Sequence, residues 1–237
     1  MIASVLVDLV AMPVGAYLIG SIPFGVIVAR FHGVDLRTRG SGNIGATNVG
    51  RVVGRKWGCL CFVLDTLKGF LPVLAAGVYL RGSGRVGAVD EQVAWLAQAT
   101  WLAVAFAAIA GHIFSLYLKF RGGKGVATSL GVLLGFYPYF TWAGLAALAV
   151  WVMVVLLWRY VSLASITAAA SFPLLFVGAC GLGGWSIVRY WPLLAFAFAM
   201  AALVIVRHRS NIARLLAGTE NKIGRGGQSA PAGEASN

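Results

Sequence analysis

Residues 111–131 read Gly111-His112-Ile113-Phe114-Ser115-Leu116-Tyr117-Leu118-Lys119-Phe120-Arg121-Gly122-Gly123-Lys124-Gly125-Val126-Ala127-Thr128-Ser129-Leu130-Gly131. An apolar helix runs into a glycine-rich turn that carries one lysine, and a second apolar run starts at once. Glycines permit φ > 0 and close backbone approach to a ligand, and successive N–H groups can form an anion-binding concavity. A helix starting at Val126 would aim its positive dipole end at the same anion. Lys124 would add a point charge, and Thr128 and Ser129 would add hydroxyl donors. The stretch does not match the phosphate-loop pattern G-x-x-x-x-G-K-[ST], and no strand precedes it. The alternative is a glycine-rich membrane hairpin whose lysine snorkels to the surface.

Composition makes the apolar runs membrane spans. The chain has 237 residues, 59% hydrophobic and 11% charged, with mean hydropathy +0.85, whereas soluble domains average about 25% charged residues. Backbone groups in lipid must pair within their own segment, which favours helices, and the short alternating segments of a β-barrel are absent. The expected fold is therefore an all-α integral membrane protein. The first run carries Asp8 and lacks a basic leader and an A-x-A site, so it reads as a retained span.

Seven spans are expected: 4–31, interrupted by Gly20-Ser21-Ile22-Pro23; 57–80; 93–118; two from 126–158, divided at Pro138; 162–180; and 187–206. Asp65 and Lys68 share a face of the second span, and ionisable groups at membrane depth pair inside the bundle. An ion pair that orients the helix is as good a reading of them as a catalytic role. Cys59, Cys61 and Cys180 read as small core residues, and no His/Cys cluster has metal spacing. Residues 1–223 form one polytopic domain, and 224–237, rich in Gly, Ser, Ala and Pro, form a disordered tail.

Fifteen of the nineteen Lys and Arg residues fall in the loops after spans one, three, five and seven. Arg81, Arg85 and Arg189 fall on the other side, and Lys68 within a span. The positive-inside rule then puts the N-terminus outside and the C-terminus in the cytoplasm. The net charge of +12 belongs to membrane topology; no nucleic-acid partner is implied. Four segments converge on the cytoplasmic face: the 30–56 loop, the Lys124 turn, the Ser162 junction and the tail beginning Arg207-His208-Arg209-Ser210-Asn211. The first is centred on Arg39-Gly40-Ser41-Gly42-Asn43-Ile44-Gly45-Ala46-Thr47-Asn48-Val49-Gly50-Arg51, donor-rich and without a carboxylate. That suits an oxyanion cradle better than a linker. Apart from Glu234 in the tail, only Asp35 and Glu220 are acidic on this face, which suits phosphate groups rather than a cation. His112 and His208 are the candidate bases, with Asn211 three residues beyond His208.

These motifs resemble the bacterial PlsY-type glycerol-3-phosphate acyltransferases. The resemblance rests on Ser41-Gly42-Asn43-Ile44-Gly45-Ala46-Thr47-Asn48 with Arg51. It rests also on Gly111-His112 with Phe120 and Gly122-Gly123-Lys124-Gly125-Val126-Ala127-Thr128, and on His208 with Asn211-Ile212, Arg214-Leu215, Gly218 and Glu220. It covers residues 10–224. It implies a seven-helix enzyme of the bacterial inner membrane, acting at the cytoplasmic face without a cofactor or metal. A fatty acyl group would pass from acyl phosphate to the 1-hydroxyl of glycerol 3-phosphate, giving lysophosphatidic acid and phosphate, the first step of phospholipid synthesis. By the same resemblance Ser41, Gly42, Asn43, Gly45, Ala46, Thr47 and Asn48 hold the acyl phosphate. Arg51, Gly122, Gly123, Lys124, Ser162, His208 and Asn211 line the glycerol-3-phosphate side. Lys124, His208 and Asn211 are the catalytic candidates, and Asp65, Lys68 and Glu220 are structural. Ser115 departs from the family, which usually has proline there.

Acyl phosphate is an activated mixed anhydride, so its leaving group needs charge stabilisation. No His-x-x-x-x-Asp pair is present. The proton acceptor is either His208 alone or a substrate phosphate oxygen. A monomer in contact with membrane lipid is expected. A transporter for a phosphorylated or other anionic molecule is the competing function; it would normally show an internal repeat and a site near the midplane, and neither is visible.

Overall fold

The computed structural model describes residues 7–86 and 91–223, and all regular structure among them is helical. The start of the first expected span, Asp90 and the 224–237 tail lie outside the described residues. The helices are α1 Met12–Ser21, α2 Phe24–Phe31, α3 Ala46–Val52, α4 Arg55–Gly82, α5 Glu91–Ile113, α6 Val126–Gly135, α7 Thr141–Trp158, α8 Val161–Gly183, α9 Trp191–Arg207 and α10 Arg209–Leu216.

Five segments are long and apolar enough to cross a membrane: Asp8–Phe31, Arg55–Gly82, Glu91–Leu118, Thr141–Trp158 and Val161–Gly183. Taking α9 with α10, which are bent by 58° to each other, gives a sixth. The remaining expected span is α6, whose 10 residues reach about 15 Å at 1.5 Å per residue. That is half the thickness of a hydrocarbon core of about 30 Å. Pro138 restricts Tyr137 away from helical geometry, so the helix cannot extend.

The first span breaks where the sequence puts Ile22-Pro23. The carbonyls freed there do not face lipid. Ser115 Oγ donates to the Ser21 carbonyl at 2.6 Å, and Lys68 Nζ donates to the Ile22 carbonyl at 2.7 Å. Ser115 has φ −60°, ψ 123°, a conformation proline also adopts. The departure from the family pattern therefore keeps the backbone path and adds a hydroxyl donor.

Small residues let the helices approach closely, as expected without a strong hydrophobic drive between helices in lipid. A methyl group added at Gly20 would lie 2.2 Å from the Ala108 carbonyl oxygen, which ties α1 to α5. One added at Gly131 would lie 1.9 Å from the Thr66 carbonyl oxygen, which ties α6 to α4. At the far end of α6 from Lys124, Trp101 stacks on Phe136 with ring centroids 3.9 Å apart. Its indole donates to the Val73 carbonyl at 2.8 Å. Phe140 packs edge-on against Phe172 and Phe176. Leu156 and Leu174 face outward, as a lipid-exposed surface requires. Cys61 and Cys180 are buried as expected, but Cys59 is exposed. It lies two residues from Cys61 on a helix, so the two cannot share a face.

Candidate active site

The ends of four segments meet at one end of the bundle. Gly122 N–H donates to the Ile113 carbonyl at 3.0 Å and Gly123 N–H to the His112 carbonyl at 3.1 Å, so the turn folds back on the end of α5. Gly125, at φ 84°, is the residue of this turn that requires glycine conformationally. Gly122 and Gly123 are not at positive φ. They are small because their space is filled. A methyl at Gly122 would lie 1.9 Å from the His112 carbonyl oxygen, and one at Gly123 2.4 Å from His112 Nε2. Of the two uses expected of these glycines, φ freedom therefore applies at Gly125, and the close approach at Gly122 and Gly123 is to the protein's own His112 and Ile113. His112 is thereby placed behind the turn, against the backbone, leaving His208 as the histidine at the cluster.

Lys124 Nζ donates to Asn211 Oδ1. The other end of that amide, Nδ2, donates to Glu220 Oε1 at 2.7 Å. Ser162 Oγ donates to the same oxygen at 2.8 Å, and Arg214 Nε donates to Glu220 Oε2 at 2.7 Å. Lys124, Asn211, Glu220, Ser162 and Arg214 form one connected network. Arg51, at the end of α3, reaches the Asn221 carbonyl at 3.4 Å. The chain after α10 closes the network as a strap: Ile223 N–H donates to the Arg159 carbonyl at 2.8 Å, and Arg159 Nε donates back to the Ile223 carbonyl at 3.1 Å. Arg207 donates to the Gly123 carbonyl at 3.1 Å and so anchors the lysine turn. Sequence reading assigned Arg207 no such role; its place at the end of α9, beside His208, is the only local signal.

Electrostatics follow from this crowding. Burial lowers the Lys124 ammonium to about 8; Glu220 opposes this, and Arg214, Arg207 and Arg51 reinforce it. Burial would raise the Glu220 carboxyl, but hydrogen bonds from Asn211, Ser162 and Arg214 outweigh it and hold the group below its ordinary value. Burial lowers the His208 imidazole, against the pull of its bond to the Val204 carbonyl and with the help of Lys124. His208 Nδ1 lies 2.8 Å from that carbonyl. A carbonyl can only accept, so Nδ1 carries the hydrogen and the neutral ring keeps its lone pair on Nε2. Cations thus outnumber the one carboxylate, and a neutral histidine stands beside them.

The Ser41–Asn48 loop is a folded turn. Asn48, buried at the first turn of α3, accepts from Ser41 N–H at 2.8 Å and donates to the Leu36 and Arg39 carbonyls at 3.3 and 3.1 Å. Asn43 accepts from Gly45 N–H at 2.8 Å. These two amides hold the loop's shape. The hydroxyls of Ser41 and Thr47 remain, with the first-turn N–H groups of Ala46 and Thr47, which have no intrahelical acceptor. Arg51 lies on the same short helix, about 8 Å further along its axis. Arg37 bridges from this loop to the Arg121 carbonyl at 3.3 Å. Asp65 and Lys68 lie apart from the cluster, paired at 2.7 Å inside the bundle.

An apolar cavity of about 100 Å³ adjoins the cluster between α6, α7, α8 and α9. Its lining includes Val126 next to the lysine turn, Val204 beneath His208, Ser165 one turn beyond Ser162, and Phe172 and Phe196 further in. Trp151 closes one side through a 3.1 Å hydrogen bond from its indole to Ser165 Oγ.

Comparison with known proteins identifies the family. The family profile described as glycerol-3-phosphate acyltransferase matches residues 10–218. The chain is 47% identical over 212 residues to the glycerol-3-phosphate acyltransferase of Trichlorobacter lovleyi, covering 88% of this chain and 94% of that one. It is 45% identical over 208 residues to that of Aquifex aeolicus, covering 87% and 95%. Among solved structures it is similar to PlsY, an integral membrane glycerol 3-phosphate acyltransferase, in its glycerol 3-phosphate form. The TM-score is 0.72 at 41% identity, over 90% of this chain and 94% of that one. The lysophosphatidic acid form of the same enzyme gives a TM-score of 0.70 at 40% identity, with the same coverage. The chain belongs to the glycerol-3-phosphate acyltransferase family.

Proposed function

We propose that this membrane acyltransferase moves a fatty acyl group from acyl phosphate to the 1-hydroxyl of glycerol 3-phosphate. The observation that carries this reading is the juxtaposition of a cationic, hydrogen-bonding cluster around Lys124 with an apolar cavity whose lining begins at the neighbouring residues Val126 and Val204. One substrate is a small dianion, and the other joins a phosphate to a lipid chain. Family membership and the similarity to PlsY in its glycerol 3-phosphate and lysophosphatidic acid forms support the same reading.

In the proposed reaction the Ser41–Thr47 turn takes the phosphate of acyl phosphate on its hydroxyls and free N–H groups, while Asn48 and Asn43 brace it. Lys124, Arg51, Ser162 and Asn211 take the phosphate of glycerol 3-phosphate, which competes with Glu220 for the Ser162 and Asn211 donors. The 1-hydroxyl oxygen attacks the acyl carbonyl carbon, the bond from that carbon to the phosphate oxygen breaks, and inorganic phosphate leaves. The hydroxyl proton passes to His208 Nε2 or to a phosphate oxygen of the substrate. Most of the acceleration comes from holding two anions side by side and neutralising the departing one.

The proposed topology has seven passages, with α6 as a short one completed by the non-helical residues on either side. The N-terminus is outside, and the C-terminus and the site face the cytoplasm of a bacterial inner membrane. The functional test is product formation by the purified protein. Acyl phosphate and glycerol 3-phosphate should give lysophosphatidic acid and phosphate in equal amounts. Movement of glycerol 3-phosphate across proteoliposomes without lysophosphatidic acid would favour a transporter instead.

A further inference from the structure

Asp65, Lys68 and His112 are buried, and none of their side chains belongs to the Lys124 network or to the donors of the Ser41–Asn48 turn. We propose that they are positioning residues, forming a strut that fixes the separation between the Ser41–Asn48 turn and the Lys124 turn. This rests on the two-substrate reading above.

Lys68 Nζ lies 2.7 Å from Asp65 Oδ1 and 2.7 Å from the Ile22 carbonyl, so the pair grips the break between α1 and α2. Three residues beyond that carbonyl, α2 meets the first turn directly: a methyl added at Gly25 would lie 1.9 Å from the Ile44 carbonyl oxygen and 3.3 Å from Cys61 Sγ. Cys61 in turn donates to Asp65 Oδ2 at 3.6 Å. On its other side Asp65 Oδ1 faces His112 Nδ1 at 3.8 Å. The far edge of that ring abuts Gly123, whose N–H is bonded to the His112 carbonyl. One carboxylate on α4 therefore stands in a continuous line of contacts from Ile44 to Gly123. An ion pair that served only to orient α4 would have no reason to end on both turns.

The strut acts on alignment. Each turn keeps its own donors, so each substrate should still bind when the strut is altered, while transfer between them suffers. A displacement on the order of 1 Å between reacting groups lowers a rate by about a hundredfold. Breaking a buried pair on one side alone is strongly destabilising, whereas removing both charges together is often neutral. The informative protein is therefore the double variant Asp65→Asn/Lys68→Met, measured beside the parent.

The strut predicts that the double variant unfolds within a few degrees of the parent and keeps KM for both substrates within about threefold. Its kcat should fall about ten- to a hundredfold. Parental kcat at parental stability would overturn the proposal and leave the pair a role in folding only. Should the double variant fail to fold, His112→Asn decides, assayed well below its own unfolding temperature. It leaves the ion pair in place and removes the ring behind Gly123. Lowered kcat at near-parental KM supports the strut, and parental kcat rejects it. A parent that makes no lysophosphatidic acid rejects the functional reading instead, so the two failures are distinguishable.

Discussion

At the scale of single residues, Lys124 and Gly123 make different contributions that one experiment separates. A charge-assisted hydrogen bond contributes about 1.5–3 kcal/mol, so Lys124→Ala should raise KM for glycerol 3-phosphate about ten- to a hundredfold with the fold intact. Gly123→Ala removes no charge, yet it should cost activity to a similar degree, because its methyl would displace the His112 ring. Turnover and thermal stability of both variants check this. Near-normal turnover in Lys124→Ala would place the phosphate site elsewhere. The same lysine sets a pH dependence. Its ammonium is lowered to about 8, and the charged form is the one that binds phosphate. Raising pH through that value removes the charge from the free enzyme, so kcat/KM for glycerol 3-phosphate should decline above about pH 8. In Lys124→Arg the decline should vanish, although the planar guanidinium restores only part of the rate.

At the scale of elements, helix contacts made through glycine carry the site. Thr66 and Gly69 on α4 lie one turn or less from Asp65 and Lys68, and they meet Gly131 and Thr128 on α6 backbone to backbone. Gly131→Ala would force these helices apart. Overpacking of this kind costs about 1–3 kcal/mol, which a lowered unfolding temperature should report together with reduced turnover; an unchanged unfolding temperature would show that the contact can relax. These contacts explain what was legible in the chain beforehand and what was not. The glycine turn, the 41–48 motif and the His208–Asn211 pair could be read because their chemistry is local. That Arg207 holds Gly123 and Glu220 reaches Ser162 depends on partners 84 and 58 residues away in the chain, and that Asn48 braces the loop and Glu220 gathers Asn211 and Arg214 depends on how the intervening turns fold back. The shortness of α6 escaped because an apolar run shows hydrophobicity without showing where its helix stops. Cys59 escaped because an apolar neighbourhood in a membrane protein marks lipid-facing positions as readily as core.

At the scale of the whole molecule, charge and hydrophobicity divide the protein into a basic end that holds the proposed site and an aromatic-packed end that closes the bundle. The uneven distribution of Lys and Arg predicts an outside N-terminus and a cytoplasmic C-terminus. With native cysteines replaced, a cysteine at Ser83 should react with an impermeant thiol reagent in intact cells and one at Ser229 should not; the reverse pattern would invert the topology. On the proposed reading this site joins an activated acyl phosphate to glycerol 3-phosphate. The proposed donor site is the compact, donor-lined Ser41–Asn48 turn, whose size suits a small phosphate leaving group. The most direct measurement gives the purified protein glycerol 3-phosphate with acyl phosphate, acyl-CoA or acyl carrier protein as the sole donor and follows lysophosphatidic acid. Turnover with acyl phosphate alone is predicted, and equal rates with acyl-CoA would overturn acyl phosphate as the dedicated donor.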